Sequence, residues 1–304
     1  MGRQERSGGA NRAELGLYLK GARERVFVDG RPMTRKYVVT HPSIKPFKIP
    51  EHTLLRIESG QARIRTKPVL KALIELYGID DPEQQERVME LWSKDRSNED
   101  WTTAFRPVMS PSMTAFVGLE ADAESINLYH PAIVHGLLQH EDYAKALYEA
   151  EQHVADTTNA FIRTHVELRA ERKRRVLQRQ PKPVYIRAIL SEAALRARVG
   201  GENIMRKQWA ELAMLSRLPH VSIQVLPLNS GGYRATHDFA VLNLRKPLRP
   251  MVQSGTAWGA LSTSDKPAQI ERFARAFSTM SSSALAPEET PEYLYKLRNE
   301  GVTP

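Results

Sequence analysis

From Glu14 the chain repeats apolar residues at helical spacing, with Leu15, Leu17, Leu19 and Ala22 set among Lys20, Arg23, Glu24 and Arg25. Residues 29–33 (DGRPM) break the pattern. Thr34–Thr40 predicts a short second helix with Tyr37 and Val38 turned inward. Pro42, Pro46 and Pro50 then hold the chain out of helix. Glu51–Ser59 predicts a third helix, stopped by Gly60. Lys67–Tyr77 predicts a fourth, with Val69, Leu70, Leu73, Ile74 and Tyr77 on one side and Gly78 at its end. Pro82 opens a fifth over Glu83–Lys94. Residues 1–11, rich in Gly, Ser, Arg and Gln, are expected to be disordered.

Residues 94–114 carry Ser, Thr, Pro and charges and read as a linker, packed down at Trp101 and Phe105. Helices are expected over Ala115–Leu128, Asp142–Gln152 and Thr158–Arg179, the last with Phe161, Ile162, His165, Leu168, Val176 and Leu177 buried. After Pro181 and Pro183 the period shortens. Val184–Leu190, Val221–Leu226 and Phe239–Leu244 are β-rich runs, and a later strand falls near Met251–Ala260. A helix from Gly201 to about Arg217 turns Ile204, Met205, Trp209, Leu212 and Leu215 inward, and Pro267–Met280 and Pro291–Asn299 are terminal helices. The fold class that follows is mainly α with a mixed α/β C-terminal part. Its parts are an N-terminal helix-turn-helix bundle over residues 12–92, a linker over 93–114 and a larger regulatory domain over 115–300, helical over 115–180 and α/β over 181–300.

Composition narrows the possible chemistry. The 304 residues contain no cysteine, which excludes disulfides, Cys-ligated zinc and a cysteine nucleophile. No apolar run reaches the length of a membrane span and no secretory signal is visible, so a cytoplasmic, nucleoid-associated protein is expected. Residues 1–75 hold 16 Lys/Arg against 7 Asp/Glu and so carry the whole net charge of +9. A basic segment on a neutral body is the electrostatic footprint of a polyanion binder.

Within that segment, Pro50–Gly60 suits a recognition helix. Leu54 and Ile57 face the core, while Glu51, His52, Thr53 and Arg56 face outward with chemistry for base edges. Lys20, Arg23, Arg35, Lys36, Arg63, Arg65 and Lys67 are placed along the phosphates. Other clusters read as structural. Arg169–Arg179 is expected to be a solvated basic face offset by Glu167 and Glu171. His130, His135 and His140 do not share a helix face, so no metal site is expected. Asn229–Tyr233 is a turn, and Trp209 and Tyr233 are expected in the core. His237-Asp238 lacks a nucleophile motif, so no catalytic residue, no cofactor and no enzyme activity are expected.

RIESGQARI (Arg56–Ile64) with VLKALIELYGIDDPEQ (Val69–Gln84) resembles the end of the helix-turn-helix in the xenobiotic-response-element family of repressors. Gly118–Leu147, Glu171–Leu212 and Val221–Leu244, in this order, resemble the C-terminal domain of the actinomycete WhiJ-like regulators, which join such a DNA-binding domain to an antitoxin-like regulatory domain. The resemblance implies a homodimeric transcriptional regulator of double-stranded DNA with a small acidic partner protein encoded nearby. It also implies base reading at Glu51, His52 and Arg56 and a phosphate contact at Arg23. The sequence departs from that family at Val26–Met33 and at the proline-rich His41–Pro50, which replace its two short turns. The expected function is DNA-binding regulation, with a C-terminal domain that answers to a small partner protein or ligand. The alternative is an antitoxin-like interaction module that hardly binds DNA by itself.

Overall fold

A computed structural model describes residues 10–97, 101–155, 157–245, 248–255 and 261–300. Two units divide the chain: Met1–Leu119 with Arg245–Arg249, and Glu120–Leu244 with Pro250–Pro304.

The first unit is built on α1 (Ala10–Arg23), α2 (Arg35–Thr40), α3 (Glu51–Glu58), α4 (Lys67–Leu76) and α5 (Pro82–Ser97). Their apolar stripes meet in one core around Leu15, Leu19, Val38, Leu54, Leu70, Leu73 and Leu91. α1 begins earlier than Glu14, because Ala10–Ala13 continue its register; the expectation for residues 1–9 lies outside the described residues. The break at DGRPM is a small ribbon, β1 (Phe27–Val28) against β2 (Arg31–Pro32). Asp29 and Gly30 turn it with φ of 51° and 73°, and an Asp-Gly pair favours such positive-φ hairpin turns. Tyr37, expected inside, is exposed; Val38 fills the core from α2, with half-buried Val39 packed against it. The proline-rich connection His41–Pro50 holds a short 3-10 turn at Lys45–Phe47 and is pinned by fully buried Ile44.

The presumed linker is largely helical. A 3-10 segment spans Trp101–Val108, and α6 occupies Pro111–Asp122. Residues 98–100 of that stretch lie outside the described residues.

The second unit holds a six-stranded mixed sheet in the order β5 (Val221–Leu226), β4 (Tyr185–Ser191), β3 (Ser125–His130), β6 (Phe239–Asn243), β7 (Met251–Gly255), β8 (Leu261–Ser264). β3, β4 and β5 run parallel, and β6, β7 and β8 continue antiparallel. The crossover from β3 to β4 carries α7 (Glu141–Glu151) and α8 (Asn159–Leu177), and that from β4 to β5 carries α9 (Glu192–Arg196) and α10 (Glu202–Leu215). α11 (Pro267–Ser283) covers β4 to β7 through Phe277 and Met280, and α12 (Thr290–Glu300) packs on α10. The chain is therefore mainly α with a mixed α/β C-terminal part.

One correction is topological. Residues 115–180 are not all helical, because Ser125–His130 forms the strand between β4 and β6 near the middle of the sheet. Part of the strand expected at Met251–Ala260 is β7; residues 256–260 lie outside the described residues. Among the described residues, no helix is long and apolar enough to cross a membrane.

Candidate nucleic-acid interface

α3 starts without a polar cap. Pro50 sits at the N-cap in extended conformation and makes no side-chain bond; its carbonyl accepts from Thr53 N at 2.9 Å and Leu54 N at 3.1 Å. The amides of Glu51 and His52 therefore point past the helix end, the usual geometry for an anion at a helix N-terminus. Along α3, Leu54, Ile57 and Glu58 are buried, while Glu51, His52, Leu55, Arg56 and Ser59 are exposed. The exposed set steps by four along two adjacent rows, so it forms one strip. Thr53 stands half-buried at its border. Leu55 was missed as a strip member. Its offset from Leu54 and Ile57 in the helical period was the available signal.

The strip is held from beneath by charge. Arg23 Nε donates to Glu58 Oε1 at 2.6 Å, Nη2 to Glu58 Oε2 at 2.9 Å and Nη1 to the Met33 carbonyl at 2.5 Å. Arg35 Nε donates to Glu58 Oε2 at 2.7 Å. Burial alone would lower the Arg23 guanidinium, but the hydrogen bonds and charge of Glu58 outweigh it and leave it raised. Beside this network the Tyr77 hydroxyl is buried with no hydrogen-bond partner among the described residues. Burial, then the Glu58 charge, pushes it far above the ordinary phenol range.

Two expected phosphate contacts change meaning here. Arg23 is 4% exposed, and its guanidinium serves a carboxylate inside the unit instead of facing solvent. Arg35 is half-buried and shares that carboxylate. Lys36, Arg63, Arg65 and Lys67 are exposed as expected, and Lys20 is half-buried. Arg63 also pairs with buried Asp95 at 3.4 Å.

α1 approaches α3 backbone to backbone. A Cβ on Gly16 would stand 2.4 Å from the Ile57 carbonyl oxygen, and one on Gly60 would stand 2.6 Å from Ala13 Cα. Both glycines are thus set by close approach, and at Gly60 a φ of +71° adds to it.

In the second unit the basic run of α8 is only partly the expected solvated face: Arg174 and Arg175 are offset by Glu171 on the same helix, while Arg172 and Lys173 turn inward. Arg172 pairs with buried Glu120 at 2.8 Å, Lys173 with Glu211, and Arg174 with Glu171 at 2.6 Å. The partners of Arg172 and Lys173 lie 52 and 38 residues away in sequence, which composition does not reveal. His130, His135 and His140 each use Nδ1 to accept backbone amides, from Ala132 and Ile133, from Leu137, and from Asp142. His135 and His140 cap the helices that follow them and His130 closes a bend after β3; no group of metal-ligating residues occurs among the described residues. His237 is exposed, while Asp238 accepts from Gly255 N at 3.2 Å. Trp209 is core as expected, but Tyr233 is 48% exposed on its turn.

The sequence pattern of a domain of unknown function, DUF5753, matches residues 113–296. The chain belongs to the DUF5753 family. No curated protein and no solved structure matches it. The DUF5753 segment begins inside α6, ends inside α12 and contains the whole sheet. The α3 strip and its Arg23–Glu58–Arg35 support lie outside it.

Proposed function

We propose that the chain is a DNA-binding transcriptional regulator in which α3 reads the major groove and the DUF5753 segment receives a signal. The observation that carries this reading is the strip Glu51, His52, Leu55 and Arg56, presented on a helix anchored by a buried ion pair in the part of the chain that holds all the net charge. Arg56 offers a bidentate donor for guanine, Glu51 an acceptor for cytosine N4, and Leu55 an apolar contact for a thymine methyl. Lys36, Arg63, Arg65 and Lys67 supply phosphate contacts that set position and salt dependence. The regulator acts as a homodimer on a two-fold site, and a small acidic protein or a ligand shifts its DNA-competent population by binding one state more tightly.

A second reading, an interaction module of antitoxin type, draws on the exposed Phe27, Tyr37, Phe47 and Leu55 of the first unit. Apolar groups of this size at a surface also suit a protein partner.

Fluorescence anisotropy separates the two. The full chain is titrated onto a duplex from its own upstream region and onto a scrambled duplex, from about 50 to 200 mM salt. Binding that survives the higher salt on the native duplex alone supports the regulator. Equal, salt-fragile binding to both overturns sequence reading and favours the protein partner.

A further inference from the structure

A cleft of about 560 Å³ opens inside the DUF5753 segment between α8, the C-terminal half of α10 and the turn leading into α7. Its volume suits a small organic molecule. Ala144, Val166, Leu177, Met214 and Leu215 make much of its lining apolar.

Among the described residues, the Arg169 guanidinium on that lining pairs with no carboxylate. Arg169 Nε donates to the Tyr148 hydroxyl at 3.1 Å, Nη1 donates to the Gln139 side-chain oxygen, and the guanidinium lies 4.7 Å over the Tyr148 ring. All these partners are neutral. The basic residues that follow it on α8 are matched: Arg172 by Glu120, Lys173 by Glu211 and Arg174 by Glu171. Among the described residues no carboxylate pairs with Arg169, and its Nη2 group donates no hydrogen bond. Burial draws this guanidinium below its ordinary value, with Tyr148 opposing and the charge of Arg172 reinforcing. A largely buried cation without an anion is costly, and an anion brought in from solution removes that cost.

We propose that this cleft binds an amphipathic organic anion, a carboxylate or phosphate monoester whose head group docks on Arg169 and whose apolar tail covers Val166, Leu177 and Met214. The shared chemistry is a compact oxyanion on a hydrocarbon body. Such a ligand would be a signal for the regulator, but the binding itself stands or falls apart from DNA reading.

Isothermal titration of the full chain with octanoate, octyl phosphate, octanol and octylamine tests the proposal. Saturable binding of at least one anion, about tenfold or more tighter than octanol, is expected, with octylamine weaker still. Comparing the two anions tells carboxylate from phosphate. Arg169→Gln is expected to weaken the anion by about tenfold or more. Met214→Glu, at a rim position 56% exposed, puts a like charge where the apolar tail lies and is expected to weaken the anion too without disturbing the interior. If Arg169→Gln fails to fold, Met214→Glu decides. The proposal is overturned by equal affinity for octanol and the anions, by unchanged anion binding in the folded variants, or by no saturable binding of either anion to the folded chain.

Discussion

The Arg23 guanidinium of α1 and the Glu58 carboxylate of α3 form a two-point ion pair at 2.6 and 2.9 Å, both side chains buried. Breaking such a pair from one side strands a buried charge, at about 3–5 kcal/mol. Glu58→Gln is therefore expected to lower the unfolding free energy of the first unit by about that amount in urea denaturation. Arg35→Ala is expected to cost clearly less, because its side chain is 27% exposed and Arg23 still neutralises Glu58. Similar costs for the two variants would mean that Arg35, not Arg23, is the main partner.

Gly16 permits the approach of α1 to the end of α3. A methyl there meets the carbonyl oxygens of Ile57 at 2.4 Å and Glu58 at 2.8 Å, and backbone atoms cannot swing aside. Gly16→Ala is expected to destabilise by about 1–3 kcal/mol despite the better helix propensity of alanine. An unchanged melting temperature would show that the two helices are not packed this closely.

Arg56 and Lys67 are assigned different work on DNA. Arg56→Ala is expected to lower the ratio of native to scrambled binding by about 1–3 kcal/mol. Lys67→Ala is expected to weaken both duplexes alike and to reduce the salt slope. Equal loss on both duplexes for Arg56→Ala would remove the base-reading role.

Histidine protonation gives the DUF5753 segment a pH dependence. His135 is held well below its ordinary value by burial and by the charges of Arg172, His130 and Arg169. Burial also lowers His130 and His165. A depressed folded value means that the unfolded chain takes up protons first. Stability is then full above about pH 6.5 and declines as pH falls below it, by at most about 1.4 kcal/mol per histidine per pH unit. The melting temperature of this segment is expected to drop from pH 7.5 to 5.5, by the linkage relation. His135→Asn, whose side-chain oxygen can still accept from Leu137 N, should flatten the drop. A profile identical to the parent would show that His135 titrates normally.

Where a single element carries its own burial pattern, the sequence was readable. Val69, Leu70, Leu73 and Ile74 define α4, Val221–Leu226 defines β5 to the residue, and Leu54 and Ile57 orient α3 with Glu51, His52 and Arg56 outward. Ser125–Leu128 falls within the expected helix because the Ala- and Glu-containing run before it favours helix. Its short alternation becomes a strand only through pairing with β4 and β6. The Asp29-Gly30 pair is a local hairpin signal, and the ribbon it turns has two residues in each strand.

The sequence alone thus determined helix spacing, fold class and the concentration of positive charge, because these depend on neighbours along the chain. Only the tertiary structure decided which charges are available. Arg23 and Arg172 look like surface cations until chain closure brings up Glu58 and Glu120, and Arg169 looks like its neighbours until no carboxylate arrives. An ion pair forms between residues 35 or 52 positions apart, and spacing along the chain holds no trace of it.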